Sequence, residues 1–582
     1  MVSVMLSAHA FDFAPEFGTL SAFNESKKGG SVGEKLRLWL IAFIKKFRKE
    51  FKPWLIDVSR KGVYGVVAAF VVGWLFFFAG WFFPWAPWVA IVGFAFGYII
   101  LFSEIDEDEE EQGARWATTQ EAVEALGQRK AGAGIRLGEL MVYAPTLEFP
   151  DLIYNGENHL ITFGKPGSGK GIRTIIPNLL WLPRSCIVID PKGQNAAVTA
   201  RARGMLGNKV FILNPYNVLP DHLNGKGEHV TNCARYNPLD RIDRKSVNFV
   251  GDVGSLAQAL IIHQGGDSHW PDAARELVAA LIMHVCISRE GNTRNLGEVR
   301  ALLNQPLEGF ALTLADMMQS GFPPLVQKAA QFSEGTNEIK SIISTARTQL
   351  AFLDDTAVCN SLAVSDFRFA NMKREAITVY LVLPFKQFEA QARWLRLLIT
   401  SAIEELTEEP RPGDGRVLFM LDEFAQLGRL QAIERALALV RGYGVQLWPF
   451  LQDLPQLKGV YPDRWESFLA TAGVAQFYTP NDNTTAEYVS KRCGQRLKKR
   501  KTVSANDWGK PLSTSSAEHW EPLFSPWELY GKEFHGARQM LFVEGLSPVV
   551  YSYREKPYYG YGSKSDNFKP HDPDPFHIPA PE

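Results

Sequence analysis

The stretch that decides the fold runs from His159 to Leu180 and reads HLITFGKPGSGKGIRTIIPNLL. Its apolar start predicts a strand, its end predicts a helix opening at Lys170, and the loop between fits the G-x-x-x-x-G-K pattern of a P-loop. Glycines are needed in such a loop because backbone N–H groups must approach phosphates without a side chain in the way. The residues predicted to bind a nucleotide are Gly164, Lys165, Pro166, Gly167, Ser168, Gly169, Lys170 and Gly171.

One position departs from the usual P-loop. The residue after Lys170 is Gly171, where most P-loops place a serine or threonine hydroxyl on Mg²⁺. Ser168 lies inside the loop and Thr174 lies one helical turn later, and neither is an obvious geometric substitute. The departure weakens the prediction of a metal ligand in the loop and leaves the prediction of phosphate binding intact.

A second segment, Val417–Phe424, reads VLFMLDEF and ends an apolar strand in two carboxylates, Asp422 and Glu423. P-loop folds hold Mg²⁺ and activate water at a strand end of this kind. The P-loop and the acidic strand, in this order, predict a nucleoside triphosphatase.

The composition bounds the possibilities further. The chain has 582 residues, enough for several domains, and its net charge of −1 indicates no particular partner. Its 5 cysteines are scattered and include no C-x-x-C pair. They are typical of reduced thiols, so neither a disulfide framework nor a cysteine zinc site is expected.

A membrane anchor is predicted near the amino terminus. No charged residue occurs from Gly62 to Phe102, which is long enough for two spanning helices, Val63–Phe83 and Trp85–Phe102. Basic residues precede the first span, so both ends should be cytoplasmic by the positive-inside rule. A buried hairpin in a soluble domain is the alternative.

The rest of the chain alternates apolar strands with helices, which predicts an α/β fold with a parallel sheet covered on both faces, the RecA-like P-loop core. Between about Asp240 and Asp366 only helical periodicity appears, which predicts an inserted all-α subdomain. The predicted strands are His159–Phe163, Ser185–Asp190, Lys209–Leu213, Ala376–Leu383, Val417–Asp422, Val445–Leu451 and Val474–Tyr478.

The predicted organisation has seven parts. They are a cytoplasmic segment with a basic amphipathic helix (1–61), the transmembrane hairpin (62–103), an acidic linker (104–135), the first part of the nucleotide-binding domain (136–240), the all-α insertion (241–366), the second part (367–560) and a tail (561–582). After Asn483 the sequence predicts a basic cluster and then a Pro/aromatic segment without periodicity.

The basic cluster could be a solvated surface or a DNA-binding groove, and both remain open. Its residues are Lys491, Arg492, Arg496, Lys498, Lys499, Arg500 and Lys501.

With these segments in view, the chain resembles the type IV coupling proteins, the TraG-like ATPases of conjugation and type IV secretion. The resemblance covers roughly residues 61–559. Its motifs are the membrane hairpin, GARWAT (Gly113–Thr118), the P-loop with Gly171, IDPKGQ (Ile189–Gln194), YNPLD (Tyr236–Asp240), LDEFAQLGRL (Leu421–Leu430), RGYG (Arg441–Gly444) and FLQDLPQL (Phe450–Leu457). The family often carries glycine after the P-loop lysine, but its members usually have a larger outer loop between the spans.

The resemblance implies roles for individual residues. ATP and Mg²⁺ are the expected cofactors, with Asp422 holding the metal through water. Asp190 would support the site or form a turn. The residues expected to act in catalysis are Lys170, Glu423 (polarising water), Gln452 (sensing the γ-phosphate or positioning water) and Arg441 (an arginine finger reaching a neighbour's nucleotide).

The resemblance also implies a function and partners. A homo-hexamer at the bacterial inner membrane, with most of the chain cytoplasmic, would recruit relaxase-bound single-stranded DNA or effector proteins and deliver them to type IV secretion channel components. Two alternatives remain open. One is an FtsK-type DNA translocase, and the other is a receptor scaffold that hydrolyses ATP slowly or only with partners.

Overall fold

A computed structural model describes residues 113–126, 134–140, 151–219, 230–262, 269–333, 336–408, 413–505, 511–531, 534, 538–560 and 568–576. The predicted segment 1–61 and the transmembrane hairpin 62–103 lie outside these residues. Among the residues described, no helix is both long enough and apolar enough to cross a bilayer.

The regular elements follow the chain in this order. The strands are β1 (Ile135–Leu140), β2 (Asp151–Tyr154), β3 (His159–Phe163), β4 (Ser185–Asp190), β5 (Lys209–Leu213), β6 (Val230–Asn232), β7 (Ile377–Val382), β8 (Val417–Leu421), β9 (Val445–Leu451), β10 (Ala472–Phe477), β11 (Gln495–Ala505), β12 (Pro511–Pro522), β13 (Arg538–Val543) and β14 (Val550–Tyr553). The helices are α1 (Thr119–Leu126), α2 (Ile176–Trp181), α3 (Gln194–Met205), α4 (Phe249–Leu260), α5 (His269–Ser288), α6 (Leu296–Leu303), α7 (Leu307–Met318), α8 (Pro323–Gln331), α9 (Asn337–Gln349), α10 (Thr356–Ser361), α11 (Phe385–Leu406), α12 (Gln431–Leu439), α13 (Leu454–Val460), α14 (Trp465–Ala470) and α15 (Asn483–Cys493).

A 12-stranded sheet organises the molecule, in the order β2-β1-β14-β13-β10-β3-β9-β8-β4-β7-β5-β6. From β10 to β6 every neighbouring pair is parallel, as the sequence predicts. The strands from β2 to β13 pair antiparallel, and β13 joins β10 antiparallel. The parallel pairing predicted for seven strands is confirmed, but the sheet also has an antiparallel part that the sequence did not predict, so the fold is α/β with a mixed sheet.

The central strands are buried on both faces, which explains their apolar sequences. All residues of β4, β7, β8 and β9 are buried. Strands covered on both faces lose the alternation of polar and apolar residues and become continuous apolar runs. This is why their positions are readable from the sequence.

The helices α4–α10 lie between β6 and β7 in the chain, which confirms the predicted helical insertion. Helix α5 carries a run of buried residues from Leu277 to Cys286, so it packs against its neighbours on all sides. A helix that is apolar all round belongs to the interior of a helical layer.

The predicted linker 104–135 contains residues that contact the sheet. Trp116 forms a β-bridge with Val549, and its ring packs against Tyr551 with the centroids 5.2 Å apart. Helix α1 follows directly. The GARWAT motif thus fixes the chain to the C-terminal strands.

The segment after Asn483 is regular, contrary to the sequence prediction. It forms α15, the antiparallel pair β11–β12, and β13 and β14 of the main sheet. Strands β13 and β14 contain buried polar residues, Gln539 and Ser552, which interrupt an apolar pattern. A polar residue inside a strand can be buried only where tertiary neighbours satisfy its hydrogen bonds.

A row of buried polar side chains supplies those hydrogen bonds and crosses the sheet. Trp448 Nε1 donates to Thr162 Oγ1 (2.8 Å), and Thr162 Oγ1 donates to Gln476 Oε1 (2.7 Å). Gln476 Nε2 donates to Gln539 Oε1 (2.6 Å), and Gln539 Nε2 donates to the Leu137 carbonyl (2.7 Å). The row links the parallel core to the antiparallel strands.

Replacing Gln476 by leucine should therefore destabilise the fold. The substitution keeps the volume but removes the partner of two buried groups, on Thr162 and Gln539. Each unsatisfied group costs about 1–3 kcal/mol, so we expect a loss of about 2–6 kcal/mol in the free energy of unfolding. Urea unfolding of the full-length protein, followed by tryptophan fluorescence, measures it.

Gln331→Leu is the control because Gln331 is exposed at the end of α8. Equal urea midpoints for the two variants would show that the polar row contributes nothing to stability.

Candidate nucleotide-binding site

Three adjacent strands bring the predicted site residues to one edge of the sheet. The P-loop follows β3, Gln452 follows β9, and Asp422 follows β8, with β9 lying between the other two. All three strands are parallel, so their carboxyl ends meet at the same edge. Ligands of open α/β sheets bind outside this edge.

Glycine is required at different positions of the P-loop for different structural reasons. Gly167 (φ +74°) and Gly169 (φ +88°) adopt left-handed backbone conformations that favour glycine. A Cβ on Gly164 would lie 2.8 Å from the Tyr478 ring, so a side chain there would clash. The loop is thus a bare backbone surface of the kind that phosphates require.

The Lys170 side chain lies inside the loop, where Nζ donates to the Gly164 carbonyl at 2.5 Å. Burial lowers the pKa of Lys170, and the carboxylates of Asp422 and Glu423 act in the opposite direction. The lysine is therefore close enough to both carboxylates to feel their charge, which brings the two halves of the predicted site together.

The helical segment after the loop begins with a wide turn. Residues Gly171–Ile175 form a π-helical turn, and the α-helix proper, α2, begins at Ile176. The sequence prediction of an α-helix opening at Lys170 is corrected in this detail. π-Helical turns are often found at functional sites.

The hydroxyls near the loop differ in their surroundings. Thr174 Oγ1 is hydrogen-bonded to the Tyr478 hydroxyl and is therefore engaged within the fold. Ser168 Oγ is buried, and the described part of the chain offers it no hydrogen-bond partner. A Cβ on Gly171 would meet nothing within 4 Å. An orphaned hydroxyl inside a bare glycine loop fits a phosphate chain with its bound metal.

The acidic strand end has a strained backbone. Glu423 has φ +49°, a left-handed conformation that non-glycine residues seldom adopt. Its N–H donates to Asp422 Oδ1 at 3.0 Å. Burial and the neighbouring Glu423 charge raise the pKa of Asp422 to about 6, while Lys170 counteracts them.

The side chain of Gln452 lies beside the carboxylates at the end of β8. Its Nε2 lies 3.5 Å from Glu423 Oε2, at the limit of a hydrogen bond, and its backbone N–H is fixed by Gln456 Oε1 at 2.9 Å. Within the described residues no three His, Cys, Asp or Glu side chains group into a metal site. Mg²⁺ is commonly held by one or two carboxylates together with phosphates and water, which is the arrangement that Asp422 could provide.

Asp190, at the end of β4, is buried, and its Oδ2 accepts a hydrogen bond from the Ala196 N–H at 2.8 Å. Burial raises the pKa of Asp190 to about 7, and the Asp422 charge adds to the effect. Asp190 therefore lies near the acidic strand end and accepts a hydrogen bond from a backbone N–H in the first turn of α3.

Arg441 is not brought together with the other predicted residues. It is exposed in a short turn, Val440–Tyr443, that precedes β9. Its charge lowers the pKa of His159, which begins β3, as a smaller contribution after burial. The start of a parallel strand lies at the edge opposite its end, so Arg441 and the P-loop occupy opposite edges of one sheet.

Arg554 is a site residue that the sequence prediction missed. It follows β14, is 7% exposed, and donates from Nη1 to the Ser168 carbonyl of the P-loop. Its guanidinium lies over the Tyr478 ring, 4.6 Å from the centroid. The next residue, Glu555, accepts a hydrogen bond on its carbonyl from Arg173 Nη1 at 3.1 Å. The C-terminal segment thus holds the P-loop from outside.

The basic cluster is partly neutralised. Glu521 accepts Arg496 Nη2 at 3.0 Å and Lys498 Nζ at 3.2 Å across the β11–β12 pair. Arg492 lies over the Phe542 ring, 4.4 Å from the centroid. These contacts neither require nor exclude a DNA groove, and the DNA interpretation remains a prediction.

Comparison with known families shows which family the chain belongs to. A sequence profile described as type IV secretory system conjugative DNA transfer matches residues 106–566, more than half of the chain. The chain belongs to this family. The resemblance drawn from the motifs is confirmed.

Relatives within the family include TraG and VirD4. The chain is 29% identical to a conjugal transfer protein TraG of Escherichia coli over 410 residues, which cover 65% of this chain and 62% of TraG. It is 31% identical to VirD4 of Rhizobium radiobacter over 369 residues, 62% of this chain and 51% of VirD4. The match thus spans less than two thirds of either relative.

The fold has solved relatives. The bacterial conjugative coupling protein TrwBdeltaN70, in its unbound form, superimposes with a TM-score of 0.57 at 16% identity, covering 79% of this chain and 96% of TrwBdeltaN70. The plasmid coupling protein TrwB in complex with ADP and Mg²⁺ gives 0.55 at 17% identity, over 77% of this chain and 95% of TrwB. These likenesses establish a shared fold with a mixed sheet and a helical insertion.

Removing the Arg554 side chain should weaken nucleotide binding. In Arg554→Met the Ser168 carbonyl loses a charge-assisted hydrogen bond, worth about 1.5–3 kcal/mol, and the P-loop loses its outer support. We expect about tenfold weaker binding of a fluorescent ADP analogue, measured by titration of the full-length protein.

Lys556→Met is the matched control, since Lys556 is two residues away and its side chain is 59% exposed. If Arg554→Met and Lys556→Met both bind the ADP analogue with the affinity of the wild type, Arg554 does not support nucleotide binding by the P-loop. A urea midpoint equal to that of the wild type separates this effect from unfolding.

Proposed function

We propose that this chain is an ATPase with a RecA-like core that couples substrates to a type IV secretion channel. Two transmembrane helices would anchor it in the bacterial inner membrane, and the subunits would assemble as a hexamer. The substrates would be relaxase-bound single-stranded DNA, effector proteins, or both. Family membership supports the setting, because the matching profile describes conjugative DNA transfer.

The observation that carries the proposal is the meeting of three strand ends. The bare P-loop after β3, Gln452 after β9 and the carboxylates after β8 lie at one edge, within range of each other's charge. A glycine cradle with a buried lysine binds phosphates, and an adjacent carboxylate pair serves a metal and a water molecule. The solved complex of TrwB with ADP and Mg²⁺ shows that a protein of this fold binds this ligand class.

Each residue then has a part in hydrolysis. Backbone N–H groups of the loop and Lys170 would hold the β- and γ-phosphates, with Lys170 exchanging its Gly164 carbonyl for phosphate oxygens. Asp422 would hold Mg²⁺, which neutralises charge on the phosphates when bound. Glu423 would orient and polarise the attacking water, and Gln452, beside it, would fix its carboxylate.

The position of Arg441 supports action between subunits. It lies at the edge opposite the P-loop of its own subunit, exposed and in a short turn. A ring in which each subunit contacts the next head to tail would bring that edge to the neighbour's nucleotide. An arginine supplied from a neighbour stabilises the charge of the transferring phosphoryl group.

The first test is ATP hydrolysis by the full-length protein in lipid nanodiscs, with and without single-stranded DNA. We expect Lys170→Ala to lose at least about 10²-fold in rate because a preorganised phosphate donor is removed. Lys340→Ala, on an exposed face of α9, should keep the wild-type rate.

Substrate transport decides between a motor and a receptor. Transport by Lys170→Ala at the wild-type level would reject the motor and favour the scaffold. DNA-independent hydrolysis in the wild type would move the assignment of cargo to effector proteins.

A mixing experiment tests Arg441. Arg441→Ala alone should lose about 10³-fold in rate. Mixed with Lys170→Ala subunits, it should regain activity, because an intact Lys170 meets a neighbour's intact Arg441 at roughly a quarter of the interfaces in a randomly mixed ring. No gain in activity on mixing would show that Arg441 does not act between subunits.

A further inference from the structure

A cavity lies between the helical insertion and the nucleotide-binding domain, away from the P-loop. Helices α4 and α5 of the insertion form one wall, and α11 and α12 form the other. Its volume is about 360 Å³, within the range of ligand-binding sites. It is called the inter-domain cavity below.

The residues that line the inter-domain cavity carry more positive than negative charge. Among the described residues that line it, four are arginines and one is a carboxylate, Glu404. The carboxylate is already paired with Arg241, which lies outside the cavity lining. The arginines are Arg275, Arg396, Arg429 and Arg435.

These arginines keep hydrogen-bonding capacity. Arg275 Nη1 pairs with Asp272 at 2.9 Å, and Arg396 Nη1 donates to the Leu427 carbonyl at 2.8 Å. The Nε atoms of both arginines are buried and have no hydrogen-bond partner within the described chain. Arg435 is exposed and makes no hydrogen bond to any residue that the structure describes. Arg429 is paired with Glu434 at 2.6 Å but is 52% exposed, so this pair contributes little. Guanidinium groups with free donors bind carboxylates and phosphates through bidentate hydrogen bonds.

The apolar part of the lining favours a peptide. Leu439 is 66% exposed, and Ile262 and Ile403 also line the cavity. Tyr443 is the one aromatic ring among the described lining residues. Single-stranded nucleic acid is usually held on several stacked aromatic rings, which this lining does not provide. A peptide that carries acidic side chains between apolar ones would complement the arginines and the aliphatic side chains of the cavity lining.

Helix α12 connects this cavity to the proposed catalytic residues. Arg429 and Leu430 follow the turn that begins at Asp422, and both line the cavity at the start of α12. At the other end of α12, Val440 and Tyr443 line it, and they flank Arg441. A ligand in the cavity therefore contacts both ends of the element that joins the carboxylates to the arginine turn.

We propose that the inter-domain cavity binds an acidic, apolar peptide segment of a transported protein and that its occupancy changes the rate of ATP hydrolysis through α12. The claim that the peptide binds is supported by the cavity lining alone. The rate effect rests on the proposed function of Arg441 and of the ATPase site. Carboxylates of the segment pair with the arginines, and its apolar side chains cover the exposed aliphatic lining.

The test uses the full-length protein in nanodiscs and a fluorescein-labelled ten-residue peptide of alternating glutamate and leucine. Fluorescence anisotropy measures its affinity. The comparison peptide carries glutamine in place of glutamate, and oligothymidine serves as a competitor.

Arg429→Ala/Arg435→Ala is the cavity variant, because both residues are solvent-accessible lining residues whose loss should leave the fold intact. Arg244→Ala/Lys340→Ala is the matched control, which removes two positive charges from the insertion outside the cavity. Arg244 is 46% exposed and also sits in an ion pair, with Glu290. We expect about tenfold weaker binding of the acidic peptide in the cavity variant and no change in the control.

Three binding results would overturn the proposal: no binding by the wild type, equal binding by the cavity and control variants, or equal binding of the glutamine peptide. Full displacement by oligothymidine would assign the cavity to nucleic acid and reject the peptide. For the rate effect, the acidic peptide should change ATP hydrolysis of the wild type at least twofold and leave the cavity variant unchanged. An unchanged wild-type rate, with the peptide bound, would reject the coupling.

Failure of the proposed function would look different. A wild type that hydrolyses no ATP but binds the peptide through these arginines would reject the ATPase and leave the binding site standing.

Discussion

The parallel pairing of β9 between β3 and β8 is the constraint on which the proposed site depends. Its register sets Leu451 beside Phe163 and Pro449 beside Leu421. The Gly164 N–H donates to the Leu451 carbonyl at 3.0 Å, so the P-loop starts where β9 ends. A shift of one residue would turn every side chain of β9 to the other face and move Gln452 away from Glu423. The site is thus a consequence of strand pairing between segments far apart in the chain.

Much of the core was predictable because burial leaves a mark on the sequence. Ser185–Asp190 and Val445–Leu451 have the same bounds as predicted strands and as observed ones. Both are mostly apolar, with no regular alternation of polar and apolar residues, as expected of strands covered on both faces. The P-loop could be predicted for a different reason. Its glycines are required by the backbone conformation and by the close approach of neighbouring atoms, and not by packing in the core.

The C-terminal strands were not predictable for a physical reason. Gln539 in β13 and Ser552 in β14 are buried, yet in a sequence they indicate surface. Gln539 bonds to Gln476 and to the Leu137 carbonyl, which belong to strands far away in the chain, and only the folded sheet supplies these partners. Arg554 was missed on the same ground. No motif surrounds it, and its contact with the Ser168 carbonyl joins residues that only the antiparallel half of the sheet brings together.

The arrangement separates what binds the nucleotide from what could respond to it. The P-loop is held on its outer side by Arg554 and on its inner side by β9, so the cradle has little freedom to move. By contrast, α12 has an exposed face that carries Arg435 and Leu439, and it ends in the exposed turn of Arg441. Elements that move in regulation are drawn from the less tightly packed parts of a fold. A rigid cradle on one subunit and a responsive arginine turn on the next would let a substrate act on hydrolysis through the neighbour's α12 without disturbing the bound phosphates.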